Sequence, residues 1–192
     1  MNSIAQIKST RLNGVDVNRL RQTISAIGQD AGLAKFRFRL ENQWLGGGYN
    51  RSTVRSFFGA GMEHPHARSF ELFADEPPVL LGADAAASAG EFLLHALAAC
   101  ITGTIAYHAA ARGIEIEEID SSVEGDVDLR GFLGLDDRVR NGFQQIRVKV
   151  RIKADVPDDE LQALCDLGPR YSPVFDTLAK GLPVKVSAER AT

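Results

Sequence analysis

Residues 92–111, FLLHALAACITGTIAYHAAA, form a run of twenty residues without a formal charge, and Cys100 sits near its middle. Glu91 precedes the run, and Arg112 and Gly113 close it. A basic residue in the last turn followed by glycine is a helix-stop signal. A helix of this length is about 30 Å long. It is apolar nearly all round, so it must be buried on nearly all sides. A water-soluble chain can do that only by wrapping other elements around the helix, which would place the Cys100 thiol inside the wrap. Twenty uncharged residues can also span a bilayer. Against a span stand His95 and His108 inside the run, the many Ala and Gly, and the few strongly lipophilic residues. No basic segment with an apolar core opens the sequence, so a signal peptide is not expected.

The 192 residues suffice for one domain with a real core, or for one domain plus an arm. A net charge of −3 gives no general attraction to nucleic acid or to an anionic membrane, and neither is expected as a partner. Two cysteines in a chain this long do not make a disulfide scaffold. The expected compartment is the reducing cytoplasm, where a thiol is free to react.

Along the chain, residues 1–33 read as an N-terminal arm and 34–192 as the main domain. Residues 1–14 are polar and expected to be loose. Asp16 can cap a helix reaching about Gln29, because Val17, Leu20, Ile24 and Ile27 recur at helical spacing. From Lys35 the period becomes two: Phe36, Phe38 and Leu40 alternate with charged residues through Glu41, as in a half-buried strand. Gly46-Gly47-Gly48 reads as a turn or bulge, since no Gly-Lys-Ser/Thr follows to make a phosphate cradle. Residues 54–58 and 69–73 read as further strands, Pro77-Pro78 ends the sheet, and 83–89 leads into the long helix.

Beyond the helix, Ile119, Val123, Val127 and Leu129 share one strand face, with Asp120, Glu124, Asp126 and Asp128 on the other. On 145–153, Ile146, Val148, Val150 and Ile152 oppose Arg147, Lys149, Arg151 and Lys153. Paired antiparallel, the two strands set acids across from bases, each pair contributing roughly 0.2–1 kcal/mol. The basic stripe could bind nucleic acid, but the acidic neighbour supplies partners within the fold, and the structural reading is the stronger. Asp158 or Asp159 caps a further helix, which Gly168-Pro169 should break or kink. Ser172-Pro173 reads as N-cap and first residue of a last helix ending near Gly181, and Val184 and Val186 as a short final strand. The class is therefore α+β with a largely antiparallel sheet.

Cys100 is the first chemical candidate, although a cysteine inside an apolar helix is more often a packing residue. Its helix face holds Leu93, Leu97, Thr104 and Tyr107, none of which would lower a thiol pKa, so activation requires a group from another segment. Cys165, next to Asp166, reads as packing, and His108 as a satisfied polar residue near the helix end. His64 and His66 have spacing for two metal ligands, but no third ligand is evident and no cofactor is expected.

The ordered segments around Ala-Ala-Cys100, then ITGTIAYHAAARGIEIEEI, EGDVDLRGFLGLDD, GFQQIRVKVRIKAD and RYSPVFDTLAKGLPVKV, resemble the OsmC/Ohr family in its OsmC-like branch, over roughly residues 35–188. The resemblance implies an intertwined homodimer, with antiparallel sheets from both chains wrapped around two long central helices. It implies reduction of organic hydroperoxides by a peroxidatic cysteine, a resolving cysteine, a lipoyl or small-thiol reductant, and an Arg and a Glu that poise the thiolate. Cys100 matches the peroxidatic position. The resolving Cys-Pro-Val motif reads Ser172-Pro173-Val174 here, so no disulfide can form at that place, and Cys165 would substitute only if its segment moved. The family Glu falls at Gly90, one place from Glu91. The family Arg falls at Arg51, with Arg55 as second choice.

Three functions follow. The first is a one-cysteine hydroperoxide reductase, with Cys100 as nucleophile, Arg51 as cation and an external thiol as resolver. The second is a non-catalytic protein binding an apolar ligand at the dimer-interface pocket. The third is a stress protein that works only through its dimer surface.

Overall fold

The structure is a computed structural model that describes residues 11–191. It divides into two compact units, Met1–His95 and Ala96–Thr192, each described by itself. The first opens with β1 (Arg11–Leu12) paired antiparallel to β2 (Val15–Asp16). Asn13 (φ 51°) and Gly14 (φ 77°) both take the left-handed conformation that a two-residue hairpin turn of this kind requires. Residues 11–14 are therefore ordered, contrary to expectation; 1–10 lie outside the described residues. The carboxylate of Asp16 accepts from Arg19 N–H at 3.0 Å and starts α1 (Val17–Gln29), as the sequence predicts.

The expected strand from Lys35 is split. β3 (Arg37–Phe38) and β4 (Glu41–Gly46) flank β5 (Tyr49–Gly59), and β6 (Met62–Ala74) also pairs antiparallel with β5. Phe36, Phe38 and Leu40 are exposed rather than half-buried, because alternation specifies which side chains share a face and not whether anything covers it. Gly47 (φ 55°) makes the β4–β5 turn. β6 begins earlier than the pattern suggested and takes in His64 and His66.

The link from β6 to the long helix is built on one buried residue. Asp75 accepts from the backbone N–H groups of Ala83 and Ala85, both at 3.1 Å, while its own N–H donates to Ala87 O. The amide N–H groups of Ala85, then Glu76, and also Ala83 hold its carboxyl below the ordinary 3.8, although burial opposes them. A depressed folded pKa means that the stabilisation is complete above the ordinary carboxylate value and drains as pH falls through the depressed one. We expect Asp75→Asn to be less stable at neutral pH and to lose less of that stability on acidification than wild type, measured by urea unfolding from pH 7 to pH 3. Gly82 closes the same loop so tightly that a Cβ would overlap the Glu76 carbonyl.

The long helix is α2 (Ala89–Arg112), ended at Gly113 (φ 79°) as the sequence signals. By length and composition alone it would also pass for a membrane span. Within the single chain Leu97, Ile101, Ile105, Ala109 and Ala110 are fully buried and form one stripe along the helix.

In the second unit that stripe is covered by β7 (Glu118–Asp126) and β8 (Gln145–Lys153), paired antiparallel as the charge pattern predicts. Ile119 faces Ile152 and Val123 faces Val148 on the inner side, packed against Leu97, Ile101 and Ile105. On the outer side Arg151 pairs with Asp120 at 2.8 Å, and Arg147 with Glu124 and Asp126 at 2.6 and 2.5 Å. Val127 and Leu129 do not continue the strand, because Asp128 caps a short turn, α3 (Leu129–Phe132), by accepting from Arg130 N–H. α4 (Asp158–Tyr171) runs through Gly168-Pro169 instead of breaking there. Leu164, Leu167 and Gly168 are buried, and that packing holds the helix past the missing N–H. An added Cβ at Gly168 would lie 2.8 Å from Ile101 Cγ2, so α4 rests closely on α2. α5 (Pro173–Lys180) follows the Ser172 cap and ends at Gly181, as expected. The expected strand at Val184 and Val186 does not form, and both residues are exposed.

Candidate functional site

Cys100 forms no disulfide and is half-buried. Ile101, the next residue, sits in the buried stripe, and one residue is about 100° of helix. The thiol therefore lies on the rim of the stripe rather than under it. Val174 and Phe175 of α5 pack against Leu97, Ile101 and Ile105, which sets the start of α5 against the segment of α2 that carries Cys100.

Ser172 begins that helix. It is 1% exposed, and its Oγ accepts from Phe175 N–H at 3.1 Å. The residue thus works as an N-cap, the role its position before Pro173 predicts. We expect Ser172→Ala to cost about 1 kcal/mol in urea unfolding through the lost cap. Cys165 lies on α4 and is also free and half-buried, with its thiol pKa pushed up by burial and then by Asp166. This agrees with its reading as a packing residue.

Arg51, on β5, donates to Gln43 Oε1 at 2.8 Å and pairs with Glu71 at 3.6 Å. Arg55 pairs with Glu41. Glu91 is occupied at the start of α2: its carboxylate accepts from Ser88 N–H (2.7 Å) and Ser88 O–H (2.9 Å), and Ser88 Oγ accepts from Glu91 N–H at 3.3 Å. These reciprocal bonds are a capping box, and they lower the Glu91 pKa, the backbone bond most. The Ser-x-x-Glu spacing at 88–91 signals it in the sequence. Arg51, Arg55 and Glu91 belong to the first unit; Cys100, Cys165 and Ser172 belong to the second, on helices packed together.

His64 and His66 stack on Phe57 at 5.0 and 5.5 Å between ring centroids, and among the described residues no cluster able to hold a metal includes them. His108 stacks on Tyr171 at 4.5 Å, and burial, then Arg112, lowers its pKa. Asp75 had no sequence signal of its own, since two of its backbone partners, Ala83 and Ala85, lie eight and ten residues ahead.

The family model described as OsmC-like protein matches residues 82–187. Among solved structures, the chain is similar to an OsmC-like protein from Mycoplasma pneumoniae (17% identity, TM-score 0.56, covering 74% of this chain and 87% of that one). It is similar to an organic hydroperoxide resistance protein OsmC from Legionella pneumophila (16%, 0.51, 73% and 89%). It is also similar to an OsmC-like protein from Vibrio cholerae (9%, 0.54, 73% and 92%). At these identities the likeness shows the fold, α+β with antiparallel sheets and a long central helix. A search of curated proteins by sequence gave no match.

Proposed function

We propose that this chain, which belongs to the OsmC-like protein family, is a thiol-dependent reductase of organic hydroperoxides that uses Cys100 alone and works as a homodimer in a reducing compartment. The Cys100 thiolate attacks one peroxide oxygen. The S–O bond forms as the O–O bond breaks, and the alkoxide leaves with a proton as alcohol. Cys100 is then a sulfenic acid. An external thiol displaces water to give a mixed disulfide, and a second thiol, or the second sulfur of a dithiol such as a lipoyl group, frees Cys100. Arg51 is the candidate cation and Glu91 the candidate carboxylate.

The observation that carries this reading is the free, half-buried Cys100 in the middle of the central helix of an OsmC-like fold, one of whose neighbours is an organic hydroperoxide resistance protein. Ser172, serving as a cap, leaves resolution to an outside thiol. The test is intact mass and peptide mapping after brief exposure of the reduced protein to cumene hydroperoxide. Rapid addition of one oxygen at Cys100, much faster than in the urea-unfolded chain, is expected. Oxidation no faster than in the unfolded chain would overturn the reading.

A second reading, an apolar-ligand binder on the same fold, is favoured by the engagement of Arg51 with Glu71 and Gln43 and of Glu91 with Ser88. A thermal shift with a lipid, together with an inert Cys100, would select it.

A further inference from the structure

We propose that the outer face of the β7–β8 ribbon holds a site for a small phosphate monoester, centred on Lys149. The sequence sets a stripe of bases on β8 against a stripe of acids on β7, and the register shows where that match fails. Arg151 stands opposite Asp120, Arg147 opposite Glu124 and Lys153 opposite Glu118, but Lys149 stands opposite Ser122. Arg147 and Arg151 are closed by carboxylates of β7, and Lys153 by Glu117 just before that strand. Among the described residues Lys149 has no ion pair. A serine in the acid stripe is shorter than Glu and uncharged. It leaves Lys149 without a counter-ion and leaves space beside it, a hollow of about 300 Å³ lined by Asp120, Ser121, Ser122, Lys149 and Arg151.

Charge and hydrogen-bonding capacity decide what fits. Arg151 Nη2 donates to Asp120 Oδ2 at 2.8 Å, so these two charges cancel and the hollow keeps one uncompensated positive charge, on Lys149. The guanidinium has N–H groups to spare beyond that bond, the ammonium brings its own, and Ser122 adds a hydroxyl. Donors on three side chains around one hollow match a group with three acceptor oxygens, which a phosphate monoester has and a carboxylate lacks. Asp120 is half exposed, and because Arg151 neutralises it, it can accept from a hydroxyl on the body of the ligand without repelling the phosphate. The class that fits is therefore a small hydroxylated molecule carrying one phosphate.

A polyanion is a poorer fit. Nucleic acid or an anionic membrane is held by a row of free cations, whereas the bases on either side of Lys149 are already neutralised within the ribbon. The hollow lies on the opposite side of the ribbon from Ile119, Val123, Val148 and Ile152, which pack on α2. Binding there does not depend on the chemistry of Cys100.

The test is an NMR titration of the isotope-labelled full chain with glycerophosphate at constant ionic strength, since salt competes for an exposed charge, with glycerol as the uncharged comparison. We expect saturable amide shifts at residues 120–122 and 149–151. The dissociation constant should fall in the millimolar range, because an exposed ammonium attracts an anion only weakly in water. Lys149→Gln should raise that constant on the order of 10-fold, and Ser122→Ala about 3-fold. Lys185→Gln removes the same charge from the exposed segment after α5 and should leave the constant unchanged. Lys149 is exposed and makes no ion pair, so its replacement should leave the rest of the spectrum, and hence the fold, as it is. Shifts that never saturate, shifts spread over the surface bases, an equal response to glycerol, or wild-type binding by Lys149→Gln would each overturn the proposal.

Discussion

The Cys100→Ser protein is expected to consume cumene hydroperoxide, with dithiothreitol as reductant, no faster than dithiothreitol alone, a loss on the order of 100-fold or more. The reason is specific to sulfur. A thiol has an accessible anion and a soft nucleophile matched to the weak O–O bond, and its oxidised form returns by exchange with other thiols. A serine hydroxyl at the same place has neither property. Serine is nearly isosteric, and Cys100 lies on the rim of the buried stripe rather than inside it, so the stability of the variant should stay within about 1 kcal/mol of wild type. Unfolding therefore cannot account for lost activity. Cys165→Ser is the matched control. Burial and Asp166 raise the Cys165 thiol pKa, which keeps its thiolate scarce, and that variant should retain the rate. If Cys100→Ser consumed peroxide at the wild-type rate, Cys100 would be a packing residue and the ligand-binding reading would stand in its place.

Ile105→Ala should lower the unfolding free energy by about 3 kcal/mol in urea titration. Ile105 is 0% exposed and sits in the buried stripe of α2, with the inner faces of β7 and β8 on one side and Gly168 of α4 on another. The strands are tied to each other by their ladder and by three ion pairs between Arg147 or Arg151 and the β7 acids, so the site cannot easily collapse around the lost atoms. Incomplete relaxation is what puts such substitutions near the middle or top of their range. Tyr107, two residues along the same helix, is exposed, and Tyr107→Ala should cost less than about 1 kcal/mol in the isolated chain. Equal losses at the two positions would mean that α2 is covered all round in solution.

Where the chain announces its structure, it does so through local spacing. Asp16 before α1, Ser172-Pro173 before α5, Arg112-Gly113 after α2 and the acid-against-base strands all act over a few residues, or through a period that only one secondary structure satisfies. Asn13-Gly14 and Ser88-x-x-Glu91 are of the same kind and equally legible. Other features depend on partners distant in the chain. Alternation at Val184 and Val186 resembles a strand, yet a strand exists only where another offers its edge. Val127 and Leu129 continue the β7 alternation, and only the Asp128 cap shows that the chain leaves the sheet there. Gly168-Pro169 looks like a break because propensity counts the missing N–H and not the packing of Leu164 and Leu167. For the candidate site, Cys100 was visible as the thiol in an uncharged helix. The occupations of Arg51 and Glu91 by Gln43, Glu71 and Ser88 were not anticipated, since the resemblance suggested a role for these residues without their neighbours.

The glycine at 168 also bears on timing. Because its bare Cα lets α4 settle against Ile101 and Ile105, Cys165 moves only as α4 moves, and α4 cannot lift away without uncovering Leu164 and Leu167. A bond between the two sulfurs would thus wait on local opening, which is rare and slow compared with diffusion of a small thiol to a half-exposed sulfenic acid. In the proposed cycle the outside thiol would then arrive first. The protein would then depend, turnover by turnover, on the thiol concentration around it, and its rate would report the reducing state of its surroundings.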